Sequence, residues 1–319
     1  MSDKTISSDP RSAPTVAAPS AHNVTSDYEE MTYSEAGPVA QITLNRPHVR
    51  NALSMRLSDE LTHALERVRD SLAIKVLVIR GAGGTFCAGD DITEMRLWGN
   101  ANAVMRRVHG YQHMANVLEE LDKITVAVVE GFAVGGGLEI TMACDFVLAQ
   151  ETAKWGMPEV DVGITPGWGG TTRMARLIGR RMTKEINLLG ALHSARRAAE
   201  LGLWNRVVAA DQLDSELDAL ISVLLSKNQQ AVRQLKFIIN NGVEADLHTA
   251  QAFEALCAGL TSAVNGGWQV DDADGGSGVA AFSSKGDLWQ ERRLLARSFW
   301  EDGPIPGSPD GSETVPCNP

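Results

Sequence analysis

Residues 124–149 read ITVAVVEGFAVGGGLEITMACDFVLA. Ile124–Val129 is apolar at every position but Thr125, the pattern of a strand covered on both faces. Gly131–Gly137 supplies a glycine-rich turn, Leu138–Ala143 a short helix, and Phe146–Ala149 another buried strand. Strand, turn, helix and strand in that order predict an α/β core. The pattern extends upstream. Residues 38–44 (PVAQITL) alternate as a strand does, and Asn45-Arg46-Pro47 makes a turn. Residues 54–70 place Leu57, Leu61, Ala64, Leu65 and Val68 at helical spacing behind Ser54 or Ser58 as cap. Residues 75–80 (KVLVIR) form a buried strand ending in Gly81-Ala82-Gly83-Gly84, and a helix follows over residues 101–121. Strands and helices alternate to about residue 210. Beyond it, residues 211–226, 228–241 and 246–264 read as helices. Residues 265–278 are an acidic, glycine-rich loop and residues 288–300 a final helix.

The 319 residues carry a formal charge of −11, are 44% hydrophobic and have a pI near 5.1. That balance suits a globular chain and argues against a general phosphate-backbone binder. Three of the 12 prolines lie in residues 1–27 and five in residues 301–319, so the ends differ in composition from the middle. The Ser- and Ala-rich start has too few large apolar side chains to offset its ordering entropy. It also lacks the apolar region of a signal peptide. Cys87, Cys144, Cys257 and Cys317 are dispersed without metal-ligand spacing, which points to reduced thiols in a cytoplasmic protein. His109 and His113 stand at i, i+4 but have no evident acidic or thiol partner, and no metal site is expected from them.

Three segments hold candidate chemistry. Phe86-Cys87-Ala88-Gly89-Asp90-Asp91-Ile92 follows a buried strand, and its small residues let a ligand approach backbone N–H groups. Gly135-Gly136-Gly137 opens a helix, where free N–H groups can hold negative charge. No G-x-G-x-x-G dinucleotide fingerprint is present there. Glu139 and Glu159 lie in apolar stretches after such loops, and acid–base work needs a pair of this kind. Read alone, residues 86–92 suit an ordinary strand-to-helix loop better than a binding loop, the three glycines suit a tight turn as well as a nest, and each glutamate suits a surface carboxylate better than a catalytic one.

Five ordered blocks carry a family resemblance: Asn45-Arg46-Pro47 with Asn51-Ala52-Leu53; residues 86–92; Gly135-Gly136-Gly137-Leu138-Glu139 with Ala143-Cys144-Asp145; Pro158-Glu159 with Pro166-Gly167-Trp168-Gly169-Gly170-Thr171; and Ala199-Glu200-Leu201-Gly202-Leu203 before Val207-Val208. From about Tyr33 to Trp289 the chain resembles the crotonase, or enoyl-CoA hydratase/isomerase, superfamily. The resemblance implies an α/β fold, a spiral core of repeated ββα units with a C-terminal helical region. It divides the chain into a disordered tail at 1–28, a core with the active site at 29–210, a helical oligomerisation region at 211–289, and an extension at 290–319 whose end is disordered.

The resemblance further implies hydration of a 2-enoyl-CoA thioester through an enolate. Glu139 would activate water for attack at Cβ and Glu159 would exchange the proton at Cα. The backbone N–H groups of Asp90 and Gly136 would form the oxyanion hole. CoA would run past His48, Val49, Arg50 and Ala52, and past Ala88, Gly89, Asp91 and Ile92. Phe282 and Lys285 would reach CoA, from a neighbouring subunit. Met95, Trp98 and Trp168 would shape the acyl pocket. CoA enters as part of the substrate, with no separate cofactor and no nucleic-acid or membrane partner, and a homotrimer or homohexamer is implied. The chain departs from the family at Asp90 and Trp168, where smaller residues are usual. The alternatives are another crotonase reaction (isomerase, hydratase-lyase or hydrolase) and a non-catalytic homologue.

Overall fold

The computed structural model describes residues 23–25 and 28–264. The predicted 265–278 loop, the 288–300 helix, the 290–319 extension, Phe282 and Lys285 lie outside the described residues.

The elements run β1 (Asn23–Thr25), β2 (Met31–Ala36), β3 (Val39–Leu44), α1 (Met55–Asp70), β4 (Val76–Gly81), α2 (Ile92–Met95), α3 (Ala101–Glu120), β5 (Ile124–Val129), β6 (Phe132–Val134), α4 (Gly136–Ala143), β7 (Phe146–Gln150) and β8 (Lys154–Gly156). They continue with α5 (Gly170–Leu189), β9 (His193–Ser194), α6 (Ala195–Leu201), β10 (Arg206–Val208), α7 (Leu213–Leu225), α8 (Gln229–Gly242) and α9 (Leu247–Val264). Two of them correct the sequence reading. β1 pairs antiparallel with β2 inside the segment expected to be a disordered tail. β6 interrupts the predicted glycine turn and pairs in parallel with β8.

The larger sheet has the order β1-β2-β3-β4-β5-β7-β10, and the smaller β6-β8-β9. From β3 to β10 neighbouring strands of the larger sheet are parallel. The chain therefore lays one strand in each sheet and then a helix, as in β5-β6-α4 and then β7-β8-α5. Isolated bridges Cys87↔Ala133 and Leu53↔Asp90 continue the smaller sheet across the neighbouring loops. This is the expected ββα spiral.

The near-continuous apolar runs have a physical reason. Leu77 and Ile79 of β4 enter the main core, while Val76 and Val78 enter a second one. β5 divides likewise, sending Ala127 and Val129 to the first and Ile124, Val126 and Val128 to the second. Leu213, Leu217 and Leu220 of α7 cover that second face. A strand buried on both sides is apolar at nearly every position, and Thr125, the exception in β5, gives its hydroxyl to Asp145 at 3.0 Å. Ser54 caps α1 as read, accepting from the Leu57 N–H at 2.9 Å.

Asn51 ties the loop before α1 to the turn after β4. It is fully buried, accepts from the Arg46 N–H at 2.9 Å, and donates to the carbonyls of Ala82 at 2.9 Å and Thr85 at 2.6 Å. A second tie joins α8 to the larger sheet. Lys236, itself buried, donates to Asp145 at 2.8 Å and to the Lys123 carbonyl at 3.0 Å.

Candidate active site

The three loops singled out in the sequence meet at the N-terminus of α4. Gly135 has φ of +52°, and a Cβ there would lie 2.8 Å from Glu159 Oε1. A Cβ on Gly137 would lie 2.4 Å from the Cys87 carbonyl oxygen. The glycines thus let α4 press against both the 86–92 loop and Glu159.

Two N–H groups face the resulting space. Leu53 pairs with the flanks of Asp90, donating to the Gly89 carbonyl at 2.8 Å and accepting from the Asp91 N–H at 3.0 Å. Alternation along an extended strand turns the Asp90 N–H to the opposite side. Gly136 is the first residue of α4, so its N–H has no acceptor within the helix. The two segments adjoin, since a Cβ on Gly89 would lie 3.5 Å from the Gly136 nitrogen.

Both glutamates are buried, contrary to the surface reading open to each. Glu139 Oε1 accepts from the backbone N–H of Trp168 at 2.9 Å and of Gly170 at 2.6 Å, and so caps α5 from outside it. A Cβ on Gly170 would meet Glu139 Oε1 at 2.6 Å. Glu139 Oε2 and Glu159 Oε2 are buried with no protein partner. Burial pushes the Glu139 carboxyl up to about 8, and the charges of Glu159 and Asp90 add to the shift that its two N–H bonds oppose. Burial likewise pushes Glu159 up to about 7, with the Asp90 charge adding. Near neutral pH such a pair holds protons that ordinary carboxylates have lost, so the same site has a proton to give and an oxygen to receive one.

Asp90 brings a third carboxyl to the site. It is half-buried, and burial lifts it to about 6 against the lowering effect of the Trp168 indole N–H, which donates to Oδ1 at 2.9 Å. Asp91 is different. Its side chain pairs with Arg46 at 3.0 Å and caps α2 through the Thr93 N–H at 3.1 Å. Burial raises the Asp91 carboxyl, but the bonds from Thr93 and Arg46 outweigh it and hold the group below its ordinary range. That carboxylate is occupied structurally, and so is the Asp91 backbone, whose N–H donates to the Leu53 carbonyl and whose carbonyl accepts from the Glu94 N–H at 3.0 Å.

Among the other positions implied for CoA, His48, Val49, Arg50 and Ile92 are exposed and Gly89 is buried. Ala52 and Ala88 are half-buried between them. The Arg50 guanidinium lies 5.5 Å from the centroid of the Phe132 ring. Met95 and Trp98 are half-buried on and after α2. Trp168 is fully buried. The sequence reading missed Tyr111, which stacks on Trp168 with centroids 4.3 Å apart and planes at 7°, and lies 6.1 Å from Trp98. Its place on the inward face of α3, one turn from Met114 and Ala115, was its only sequence signal. His109 and His113 are exposed. Burial pushes the thiols of Cys87 and Cys144 up to about 12, as inert core cysteines require.

The family model for enoyl-CoA hydratase/isomerase matches residues 34–290. A crotonyl-CoA hydratase of Syntrophomonas wolfei subsp. wolfei is 37% identical over 261 residues, covering 81% of this chain and 96% of the relative. A short-chain-enoyl-CoA hydratase of Clostridium acetobutylicum is 37% identical over 226 residues, covering 70% and 85%. The crystal structure of an enoyl-CoA hydratase from Bacillus anthracis superposes with a TM-score of 0.72 at 34% identity, covering 81% of this chain and 97% of that one. With the matched span enclosing every loop of the site, the chain belongs to the enoyl-CoA hydratase/isomerase family, the crotonase superfamily.

Proposed function

We propose that the protein is an enoyl-CoA hydratase that adds water across the double bond of a 2-enoyl-CoA thioester, with Glu139 and Glu159 as its acid–base pair. The observation that carries this reading is the pair of buried carboxyls, each with one oxygen free of protein partners, beside an unpaired helix N-terminus. The relatives named as crotonyl-CoA and short-chain-enoyl-CoA hydratases support the same substrate class.

The reacting form carries the pair's proton on Glu159 and leaves Glu139 ionised, the less populated arrangement because burial raises Glu139 further. Water held at Glu139 Oε2 gives a proton to that carboxylate as its oxygen bonds to Cβ. The electron pair of the double bond shifts toward the thioester, whose oxygen becomes an enolate. The N–H groups of Asp90 and Gly136 receive that charge, each contributing roughly 3–4 kcal/mol by the measure of other oxyanion holes. The enolate then takes the proton of Glu159 at Cα, giving the 3-hydroxyacyl-CoA. A proton has entered at one glutamate and left at the other, and exchange with solvent resets the pair. CoA lies along the exposed 48–50 segment and the half-buried Ala52 and Ala88. The homotrimer or homohexamer and the cytoplasmic location belong to the same proposal. The apolar side chains that α8 and α9 leave exposed, among them Leu235, Phe237, Leu256 and Leu260, support the assembly. The unpaired Cys87, Cys144 and Cys257 support the location.

The test is hydration of several 2-enoyl-CoA thioesters by the wild type, Glu139→Gln and Glu159→Gln, with products weighed by mass spectrometry. Gain of one water marks hydration, and turnover without mass change marks isomerisation. If neither variant lowers turnover by at least about a hundredfold, the acid–base assignment is wrong.

A further inference from the structure

The oxyanion hole uses only the N–H of Asp90 and leaves its carboxyl without a task. That carboxyl faces Trp168, whose Nε1–H it accepts at 2.9 Å. Trp168 is held from several other sides. Its ring stacks on Tyr111, its N–H donates to Glu139 Oε1 at 2.9 Å, and its carbonyl accepts from Arg173 Nη1 at 2.9 Å. The pyrrole edge of the indole lies over the first turn of α4. A Cβ on Gly136 would sit 3.2 Å from Nε1 and 3.5 Å from Cδ1. A large flat side chain therefore stands over Gly136, on a residue whose backbone N–H is bound to the Glu139 carboxyl. It can swing aside only by giving up the stack and the Asp90 bond together.

We propose that the Asp90 carboxylate is a positioning residue that, by holding the Trp168 indole, sets the size of the acyl group admitted beside Glu139. The proposal rests on the enoyl-CoA reading above. A fixed indole is a wall, and rejection of an extra methylene at a rigid apolar wall is worth about 10–200-fold in kcat/KM. A carboxylate could act here in two ways, by holding the indole or by repelling anionic acyl groups. Asn separates them, because its Oδ1 still accepts the indole N–H while the charge is gone. Ala loses both.

The experiment measures kcat and KM for four-, six-, eight- and ten-carbon 2-enoyl-CoA substrates with the wild type, Asp90→Asn, Asp90→Ala and Trp168→Phe. Alongside it, the indole N–H signals of labelled protein are recorded, with that of Trp168 identified by its loss in Trp168→Phe. Expected for Asp90→Ala is a rise of at least about tenfold in the long-to-short ratio of kcat/KM, carried mainly by KM, with faster exchange of the Trp168 indole N–H. Expected for Asp90→Asn is a ratio within about threefold of the wild type and a protected indole N–H. The proposal is overturned if Asp90→Ala keeps the wild-type ratio, or if Asp90→Asn matches Asp90→Ala. A wild type inactive on every chain length would instead overturn the hydratase reading and take the size claim with it.

Discussion

Replacing Glu139 by Gln separates its structural work from its charge. The amide oxygen of Gln can accept the same two N–H bonds, from Trp168 and Gly170, that Oε1 accepts now, so the start of α5 keeps its cap. Only the titration is lost. Burial, abetted by the charges of Glu159 and Asp90, raises the carboxyl from 4.5 to about 8. Between about pH 5.5 and 7.5 the folded chain thus holds a proton that the unfolded chain has released. Raising the pH across that window favours the unfolded chain, by about 1.4 kcal/mol per pH unit for one proton. The wild type should lose about 2–3 kcal/mol through Glu139 over those two units, with the loss levelling off above about pH 8. Gln carries no such proton, and Glu159 and Asp90 titrate in both proteins. In reversible urea denaturation the stability of Glu139→Gln relative to the wild type should therefore rise by about 2–3 kcal/mol from pH 5.5 to 7.5. Its turnover should fall at least about a hundredfold. Stability curves that run parallel in pH would refute the burial argument, and full turnover would refute the catalytic one.

Glu159→Gln should also lose at least about a hundredfold in turnover. Because burial lifts Glu159 to about 7, the variant should in addition lose the limb of the wild-type kcat/KM–pH profile nearest neutrality, read from initial rates across a buffer series. Asn51→Ala strands the Ala82 and Thr85 carbonyls and the Arg46 N–H, and should cost about 2–4 kcal/mol, seen as a lowered melting temperature. Lys236→Met leaves the Asp145 carboxylate without its cation and should cost about 3–5 kcal/mol in chemical denaturation. Adding Asp145→Asn should recover most of that loss, because the amide oxygen still accepts from Thr125.

What the sequence made legible follows the range of the forces involved. Val76–Gly81 and Ile124–Val129 were readable as strands because burial on two faces demands apolar residues in succession, a local record of a global arrangement. The Ser54 cap was readable because its acceptor and donor lie three residues apart. β6 was not: three residues between glycines carry too short a pattern, and its partner β8 begins twenty residues beyond. The site divides in the same way. Glu139 and Glu159 stood out as acids in apolar stretches, yet their protonation depends first on burial, then for Glu139 on N–H donors at 168 and 170 and for both on the carboxyl of Asp90, which come from other loops. Asn51 belonged to a block that carried the family resemblance, beside residues read as a path for CoA, but its side chain is spent on the loop itself, as the Asp91 carboxylate is on Arg46 and Thr93. The glycines show most directly why composition stops short. Gly135 and Gly137 look alike in sequence, but one is required by a positive φ and the nearness of Glu159, and the other by the Cys87 carbonyl. A cluster of costly glycines marks where backbone must approach something closely. What it approaches, here a proton donor in one case and a neighbouring loop in the other, depends on residues distant in the chain, and that difference separates a glycine serving the chemistry from one serving the packing.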